Sequence, residues 1–251
     1  MSTTVIIRER VYKTKQRARQ MAAQYVDDGY TVEGPVEEAD GDWLLRIFPK
    51  DYGEVAAGTN PGIETAGIEA GAPVTPGEGG VKVLLDYIAG LESNGNYNAY
   101  FRHADNHDSP SFTAMTLADV LVWQKQQVKA GSLSSAVGRY QIIRGTLEAL
   151  IKSMGLDAPR AKFDVATQDR MAIKLLEARG LKDLLAGTTT AQAFANSVSR
   201  EWAALPIVTN NFPDNKGRLN RKGASYYAGD GVNKAHAGPY TYLRAVDTIV
   251  A

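Results

Sequence analysis

Residues 83–92 read Val-Leu-Leu-Asp-Tyr-Ile-Ala-Gly-Leu-Glu, and the interpretation of the whole chain starts from this stretch. Its apolar residues recur at helical spacing, which predicts a helix with one buried face. Glu92 lies where that face ends, and the residues that follow, 93–98, have turn composition. A carboxyl group at the edge of a buried helix is partly desolvated, which raises its pKa toward that of a general acid. Glu92 is therefore the leading candidate among 28 acidic residues.

Composition predicts a folded protein without cysteine chemistry. The chain has 251 residues, 44% of them hydrophobic, which is enough for a substantial core. It contains no cysteine, so disulfides, thiolate metal sites and a cysteine nucleophile are excluded. The net charge is zero, but residues 81–251 carry five more bases than acids. That small surplus suits a polyanionic partner such as cell wall or nucleic acid.

The distribution of glycine and proline predicts two folded parts joined by a tether. Residues 51–80 contain eight glycines, three prolines and five acids, with no base and no sustained periodicity. We interpret them as a flexible linker between a module at 1–50 and a domain at 81–251. The alternative is a long surface loop of a single domain, which is uncommon at this length.

Residues 1–50 are predicted to form a small α+β module with the order strand, helix, strand, strand. Its helix carries Lys13, Lys15, Arg17 and Arg19. This basic row indicates either a docking surface for nucleic acid or wall, or an ordinary solvated helix face. The even balance of eight bases and eight acids in the module favours the solvated face.

The remainder of the chain has a mainly α pattern of short helices. Thr116 with Asp119 forms a capping box, Thr146 is predicted to open a helix, Asp164 precedes another, and Thr190 caps a further one. Residues 207–236 are predicted to be irregular. A compact domain of short helices around a cleft is the expected assembly.

A second motif, Ala136-Val137-Gly138-Arg139-Tyr140-Gln141, makes the interpretation specific. Together with Leu91-Glu92-Ser93 it resembles the lysozyme-like lytic transglycosylases and phage muramidases, and most of all the lambda-type phage endolysins. Residues 167–180, with Thr-Gln-Asp and Arg-Gly, and residues 202–206, Trp-Ala-Ala-Leu-Pro, match the same pattern in the same order. The resemblance spans roughly residues 81–206.

The resemblance implies a lysozyme-like catalytic domain that cleaves peptidoglycan between N-acetylmuramic acid and N-acetylglucosamine. Glu92 would protonate the glycosidic oxygen and, in a lytic transglycosylase, would then activate the C6 hydroxyl of the muramic unit. A lysozyme-type hydrolase needs a second carboxylate instead. The candidates for that carboxylate are Asp105, Asp108 and Asp164, although the first two also suit an ordinary hydrated loop.

Amide, hydroxyl and aromatic side chains are expected to hold the sugars. The candidate substrate-binding residues are Ser93, Tyr97, Asn98, Arg139, Tyr140 and Gln141. In the family pattern the glutamine faces the catalytic glutamate, so Gln141 takes that role. The alternatives are that Tyr140 belongs to the core, that Gln141 caps a turn, and that Arg139 pairs with Asp169 instead of a substrate carboxylate.

The expected partner is bacterial peptidoglycan, with no cofactor and no metal. His103 and His107 have a spacing of four but lie in a predicted loop, where that spacing is weak support for a metal site.

The N-terminal sequence has no signal-peptide pattern, and the chain has no stretch of membrane-spanning length, so the expectation is synthesis in the cytoplasm and action on the cell wall. The tethered module suits carriage in a virion, where residues 1–50 would contact other virion proteins. Nucleic-acid binding and an inactive wall-binding or structural virion protein are the rival interpretations.

Overall fold

The computed structural model describes residues 8–27, 31–37, 41–48, 78–230 and 233–250. The chain divides into two compact units, Met1–Pro73 and Val74–Ala251. Most of the predicted linker, residues 51–77, lies outside the described residues. Residues 78–80 belong to the first turn of a helix.

The described part of the first unit has one helix and a three-stranded antiparallel sheet. Its elements are β1 (Arg8–Tyr12), α1 (Lys15–Asp27), β2 (Thr31–Glu37) and β3 (Trp43–Phe48). The central strand is β3, with Arg10 opposite Leu45 on one side and Val32 opposite Ile47 on the other. Helix α1 packs against all three strands and so covers one face of this sheet. Ala18 of α1 and Leu44 and Leu45 of β3 are buried.

Two of the basic side chains singled out from the sequence, Lys13 and Lys15, have partners within this unit. Lys13 donates to both carboxylate oxygens of Asp42 at 2.7 Å. The ammonium group of Lys15 lies 4.6 Å from the centre of the Trp43 ring. These contacts favour a solvated, locally paired helix face over a surface reserved for nucleic acid.

The second unit is mostly helical, which confirms the predicted mainly α character. Its helices are α2 (Glu78–Ser93), α3 (Leu117–Lys129), α4 (Arg144–Ser153), α5 (Val165–Ala178), α6 (Leu181–Leu185), α7 (Ala191–Val198) and α8 (Pro239–Asp247). Two short strands, β4 (Phe212–Pro213) and β5 (Leu219–Asn220), pair within the region predicted to be irregular. Within the described ranges, no helix combines the length and apolar character that crossing a bilayer requires.

Side-chain caps fix the start of three helices. Thr116, Asp164 and Thr190 accept hydrogen bonds from the backbone N–H groups three residues further on, at 3.2, 2.8 and 3.1 Å. Each bond satisfies a donor that the first turn of a helix leaves without an intrahelical partner. These caps set where α3, α5 and α7 begin.

The core of the second unit anchors α2. Leu84, Ile88 and Ala89 of this helix are fully buried in one hydrophobic cluster. Met171 and Leu176 of α5 and Tyr242 of α8 belong to the same cluster. The carboxyl-terminal end of α2, which carries Glu92, is therefore attached to a helix that cannot move without disturbing the core.

Candidate active site

Glu92 lies in the last turn of α2 and is half-buried. Burial raises its pKa from 4.5 to about 7, and a hydrogen bond from the backbone N–H of Ala204 acts in the opposite direction. No charged side chain of the described residues contributes to this shift. Near neutral pH, Glu92 is therefore protonated in a large fraction of the molecules, as a general acid must be.

The Gly138–Gln141 turn is held by four hydrogen bonds to separate parts of the unit. The N–H of Gly138 donates to the carbonyl of Ala99 at 2.7 Å, and the N–H of Arg139 donates to Oε1 of Gln168 at 2.8 Å. The carbonyl of Arg139 accepts from the Ser93 hydroxyl at 2.7 Å. The carbonyl of Tyr140 accepts from the Trp202 indole N–H at 3.0 Å. Together these four hydrogen bonds leave the turn little freedom.

Glycine is required at the first position of this turn. Gly138 has a φ of 76°, in the left-handed region that favours glycine. A Cβ atom there would also collide with the side-chain amide of Gln168 and with the Phe163 ring. Gln168 is fully buried and also donates to the carbonyl of Phe163 at 2.9 Å. The glycine therefore lets the turn approach a fixed amide closely.

Arg139 is part of a dense polar network. Its guanidinium group donates to Asp86 of α2 at 2.5 Å and to the Tyr97 hydroxyl at 2.6 Å. It also lies 3.7 Å from the Asp169 carboxylate of α5. Arg139 therefore pairs with both Asp86 and Asp169. This is the alternative that the sequence left open, in which Arg139 pairs with Asp169 instead of a substrate carboxylate.

The Asp169 carboxylate accepts hydrogen bonds from the hydroxyl groups of two tyrosines. Tyr97 donates to it at 2.9 Å and Tyr140 at 2.7 Å. Burial, followed by the hydrogen bond to Asp169, raises the pKa of Tyr140 above its usual range. The ring of Tyr140 is buried in the core cluster, and its centre lies 5.5 Å from the Arg139 guanidinium, so the ring and the hydroxyl both take part in this network.

The other predicted substrate-binding residues occupy different positions. Ser93 is buried, with its hydroxyl directed to the carbonyls of Arg139 and Ala89. The Asn98 side chain accepts from the N–H of Thr113 at 2.9 Å and thereby orders the loop after α2. Gln141 is half-buried with a φ of 47°, and its amide donates to the carbonyl of Gly138 at 3.0 Å. Of the predicted set, Arg139 contacts both Tyr97 and Tyr140. The Ser93 hydroxyl joins them through the carbonyl of Arg139.

The candidate second carboxylates differ in environment. Asp164 caps α5, and the hydrogen bond from the Thr167 N–H lowers its pKa. Asp105 and Asp108 are exposed in the loop between α2 and α3. Among the described residues, no group of three or more histidine, aspartate or glutamate side chains is arranged to hold a metal ion.

The structure adds residues that the sequence pattern did not assign to the site. Ala204 donates to Glu92 through its backbone, and Trp202, in the same segment, supports the Gly138–Gln141 turn. Asp86 and Gln168 are further supports of that turn. The signal for three of them was the set of ordered motifs at 167–180 and 202–206. No local signal marked Asp86.

Two cavities lie beside this region. The first, of about 670 Å³, is lined by the Arg139 network together with apolar residues of α2, α5 and α6. The second, of about 360 Å³, is lined by residues 100–103, by Trp123 and Gln127 of α3, and by the loop that follows α3. Glu92 lines neither cavity. It lies instead beside the backbone of the Trp202–Pro206 segment.

Comparison with known proteins gives one match. A family model described as Endolysin matches residues 89–232, which include Glu92, the Gly138–Gln141 turn and the Trp202–Pro206 segment. No curated protein and no solved structure matches the chain. The matched region covers more than half of the 251 residues. Endolysins are phage proteins that degrade the bacterial cell wall, and this chain belongs to the endolysin family.

Proposed function

We propose that the chain cleaves the bond between N-acetylmuramic acid and N-acetylglucosamine in peptidoglycan, with Glu92 as the acid. The observation that carries the proposal is the half-buried Glu92 carboxyl, whose pKa is about 7 without help from a charged neighbour. Protonated glutamic acid at neutral pH is suited to transfer a proton to a glycosidic oxygen. Family membership supplies the polymer on which such an acid would act.

The transglycosylase version of this reaction needs one carboxyl group. Glu92 gives its proton to the glycosidic oxygen as the bond to the muramic C1 breaks. The resulting carboxylate then takes the proton of the C6 hydroxyl of the same sugar, and O6 bonds to C1. The product is a 1,6-anhydro end, and Glu92 has regained its proton without consuming water.

The environment of the other acids supports this version over a hydrolase. Asp86 and Asp169 are occupied by Arg139 and the tyrosine hydroxyls. Asp164 caps a helix. Asp105 and Asp108, both exposed, are the remaining candidates for the second carboxylate that a hydrolase would use.

The test is mass spectrometry of muropeptides released from purified peptidoglycan. Anhydro-muramic ends, one water lighter than hydrolysed ends, are expected from the wild type. Reducing ends would replace the transglycosylase proposal with a hydrolase and direct attention to Asp105 and Asp108. An absence of any glycan cleavage by folded protein would leave an inactive wall-binding protein as the better description.

Glu92→Gln is the matched variant for this assay. Loss of a general acid costs about 100-fold to 10,000-fold in rate. Glu148→Gln, at an exposed surface pair with Arg144, is the control and should retain wild-type activity. A folded Glu92→Gln protein with wild-type activity would contradict the assignment of Glu92.

A further inference from the structure

We propose that the smaller cavity, between the loop after α2 and the end of α3, is a saccharide subsite that binds a glycan segment away from the cleaved bond. This inference rests on the proposed glycosidase function. The cavity measures about 360 Å³, within the range of small-molecule sites. Its chemistry differs from that of the larger cavity in a way that favours a ligand.

The polar groups of the two cavities differ in their partners. In the larger cavity, Asp86, Arg139 and Asp169 bind one another and the neighbouring tyrosine hydroxyls. In the smaller cavity, the side chains of Arg102, Trp123 and Gln127 make no hydrogen bond with any described residue. None of their polar atoms is sealed from solvent without a partner. The Arg102 guanidinium lies 5.1 Å from the centre of the Phe101 ring, which lines the same cavity. Solvated donors and acceptors along the wall of a concavity are available to a ligand.

Aromatic rings form part of the same wall. The Tyr100 ring stacks on His103 with centroids 4.2 Å apart and meets the Trp123 ring edge-on at 5.3 Å. The Trp123 ring is backed in turn by the buried Phe112 at 4.7 Å. Tyr100 and Trp123 are half-buried, so each presents part of a fixed ring to the cavity. Rigid aromatic surface next to amide and hydroxyl groups suits the apolar faces and polar edges of sugar rings.

The wall is ordered before any ligand binds. The Asn96 amide donates to the carbonyls of Ala104 and Asn106, at 2.8 and 2.7 Å. Asn106 in turn donates to the carbonyl of Asn98 at 2.6 Å. Between these anchors Arg102 has a φ of 66°, a conformation that is uncommon outside glycine and concentrates at functional sites. Preorganised side chains lose less conformational entropy on binding.

Backbone pairing connects the cavity to the candidate active site. Phe101 N–H donates to the carbonyl of Ala136 at 3.0 Å, and Gly138 N–H donates to the carbonyl of Ala99. The segments that line the cavity therefore continue directly into the Gly138–Gln141 turn. Of the residues that the structure describes, no aspartate or glutamate lines the cavity, whereas Arg102 does. That charge suits a glycan strand whose muramyl units carry carboxylates.

The first experiment titrates full-length Glu92→Gln protein with the tetramer of β-1,4-linked N-acetylglucosamine. Indole N–H signals from Trp43, Trp123 and Trp202 are followed by NMR, and the dissociation constant by calorimetry. The Trp123 signal is expected to move saturably. A Trp123 signal that stays unmoved at saturating tetramer would overturn the subsite, as would the absence of binding by a protein whose wild type cleaves peptidoglycan.

A pair of neighbouring glutamines gives the matched variants. Gln127 lines the cavity, whereas Gln126 is exposed on the same helix and does not. In the Glu92→Gln background, Gln127→Ala should weaken tetramer binding by about threefold to tenfold, the effect of one hydrogen bond. Gln126→Ala should leave it unchanged. Equal affinities for the two variants would count against the subsite.

The subsite and the proposed function fail separately. Tetramer binding at Trp123 in a protein that releases no muropeptides would support saccharide binding at this cavity and refute the glycosidase. Muropeptide release without any effect of Gln127→Ala on tetramer binding would support the glycosidase and refute the subsite.

Discussion

The Ser93 hydroxyl donates a 2.7 Å hydrogen bond to the carbonyl oxygen of Arg139. Ser93 is the residue after Glu92, and Arg139 lies in the middle of the Gly138–Gln141 turn. One partly buried hydrogen bond therefore joins the end of the helix that carries the acid to the turn that carries Gln141. The spacing between the two motifs is fixed by this contact as well as by the core.

Ser93→Ala removes that connection. The variant leaves a partly buried carbonyl without this donor, so we expect a loss of about 1 kcal/mol in the free energy of unfolding. Urea denaturation measures it. Ser153→Ala serves as the control, because the Ser153 hydroxyl donates to Leu150 from an exposed position in α4. Equal losses in the two variants would argue that the Ser93 contact has no special role.

Gly138→Ala tests whether the close approach to Gln168 matters beyond the positive φ. Gly155 also has a positive φ, of 63°, but a Cβ atom there would meet nothing within 4 Å. We expect about 1–2 kcal/mol of destabilisation for Gly155→Ala from backbone strain alone. Gly138→Ala adds overpacking and should lose about 1–3 kcal/mol more. Thermal unfolding of both variants checks this, and similar values would disprove the packing argument.

Asp169→Asn weakens the network that supports the turn. Its carboxylate accepts from the Tyr97 and Tyr140 hydroxyls and lies beside Arg139. Small displacements of reacting groups cost up to about 100-fold in rate, so we expect kcat to fall more than tenfold with little change in KM. Asp157→Asn, at an exposed pair with Arg160, is the control and should change neither. A rise in KM at constant kcat would instead place Asp169 in substrate binding.

Local chemistry explains which parts of this fold were predictable. The caps at Thr116 and Thr190 were predicted because a cap depends on residues three positions apart. For Asp164 the sequence predicted only that a helix follows, and the structure shows that its side chain caps that helix. Helix α4 begins at Arg144, two residues before the predicted Thr146. The Arg144 N–H donates to the Ser135 hydroxyl at 2.9 Å, a partner from a preceding loop that no local pattern identifies.

The same limit applies to the candidate site. Glu92 and the Gly138–Gln141 element were identified from the sequence because an apolar helix face and a short ordered motif are both visible in one dimension. The partners of Arg139 come from α2, the loop after it and α5, so their convergence depends on tertiary packing. The Ala204 N–H is a backbone group, and its contact with Glu92 leaves no side-chain signature.

The raised pKa of Glu92 predicts a pH-dependent stability. Its folded value, about 7, exceeds the unfolded value of 4.5, so the folded state binds the proton more tightly. The stability from this group is fully present below pH 4.5 and is lost as pH rises through 7. Between pH 5 and 8 the wild type should lose about 2–3 kcal/mol more than Glu92→Gln, which has no such proton. Parallel pH profiles of the two proteins in urea denaturation would show that Glu92 is not protonated near neutrality.

The same proton predicts the shape of the activity profile. If Glu92 must be protonated to act, kcat/KM should fall about tenfold for each pH unit above 7. The stability loss described above occurs over the same range, so the assay requires protein shown by circular dichroism to be folded at each pH. Activity that stays constant to pH 9, or that already falls with an apparent pKa near 4.5, would mean that a different group gives the proton to the leaving oxygen. The first of these results would point to an acid with a higher pKa. The second would point to a solvated carboxyl such as Asp105 or Asp108, and would favour the two-carboxylate hydrolase over the transglycosylase.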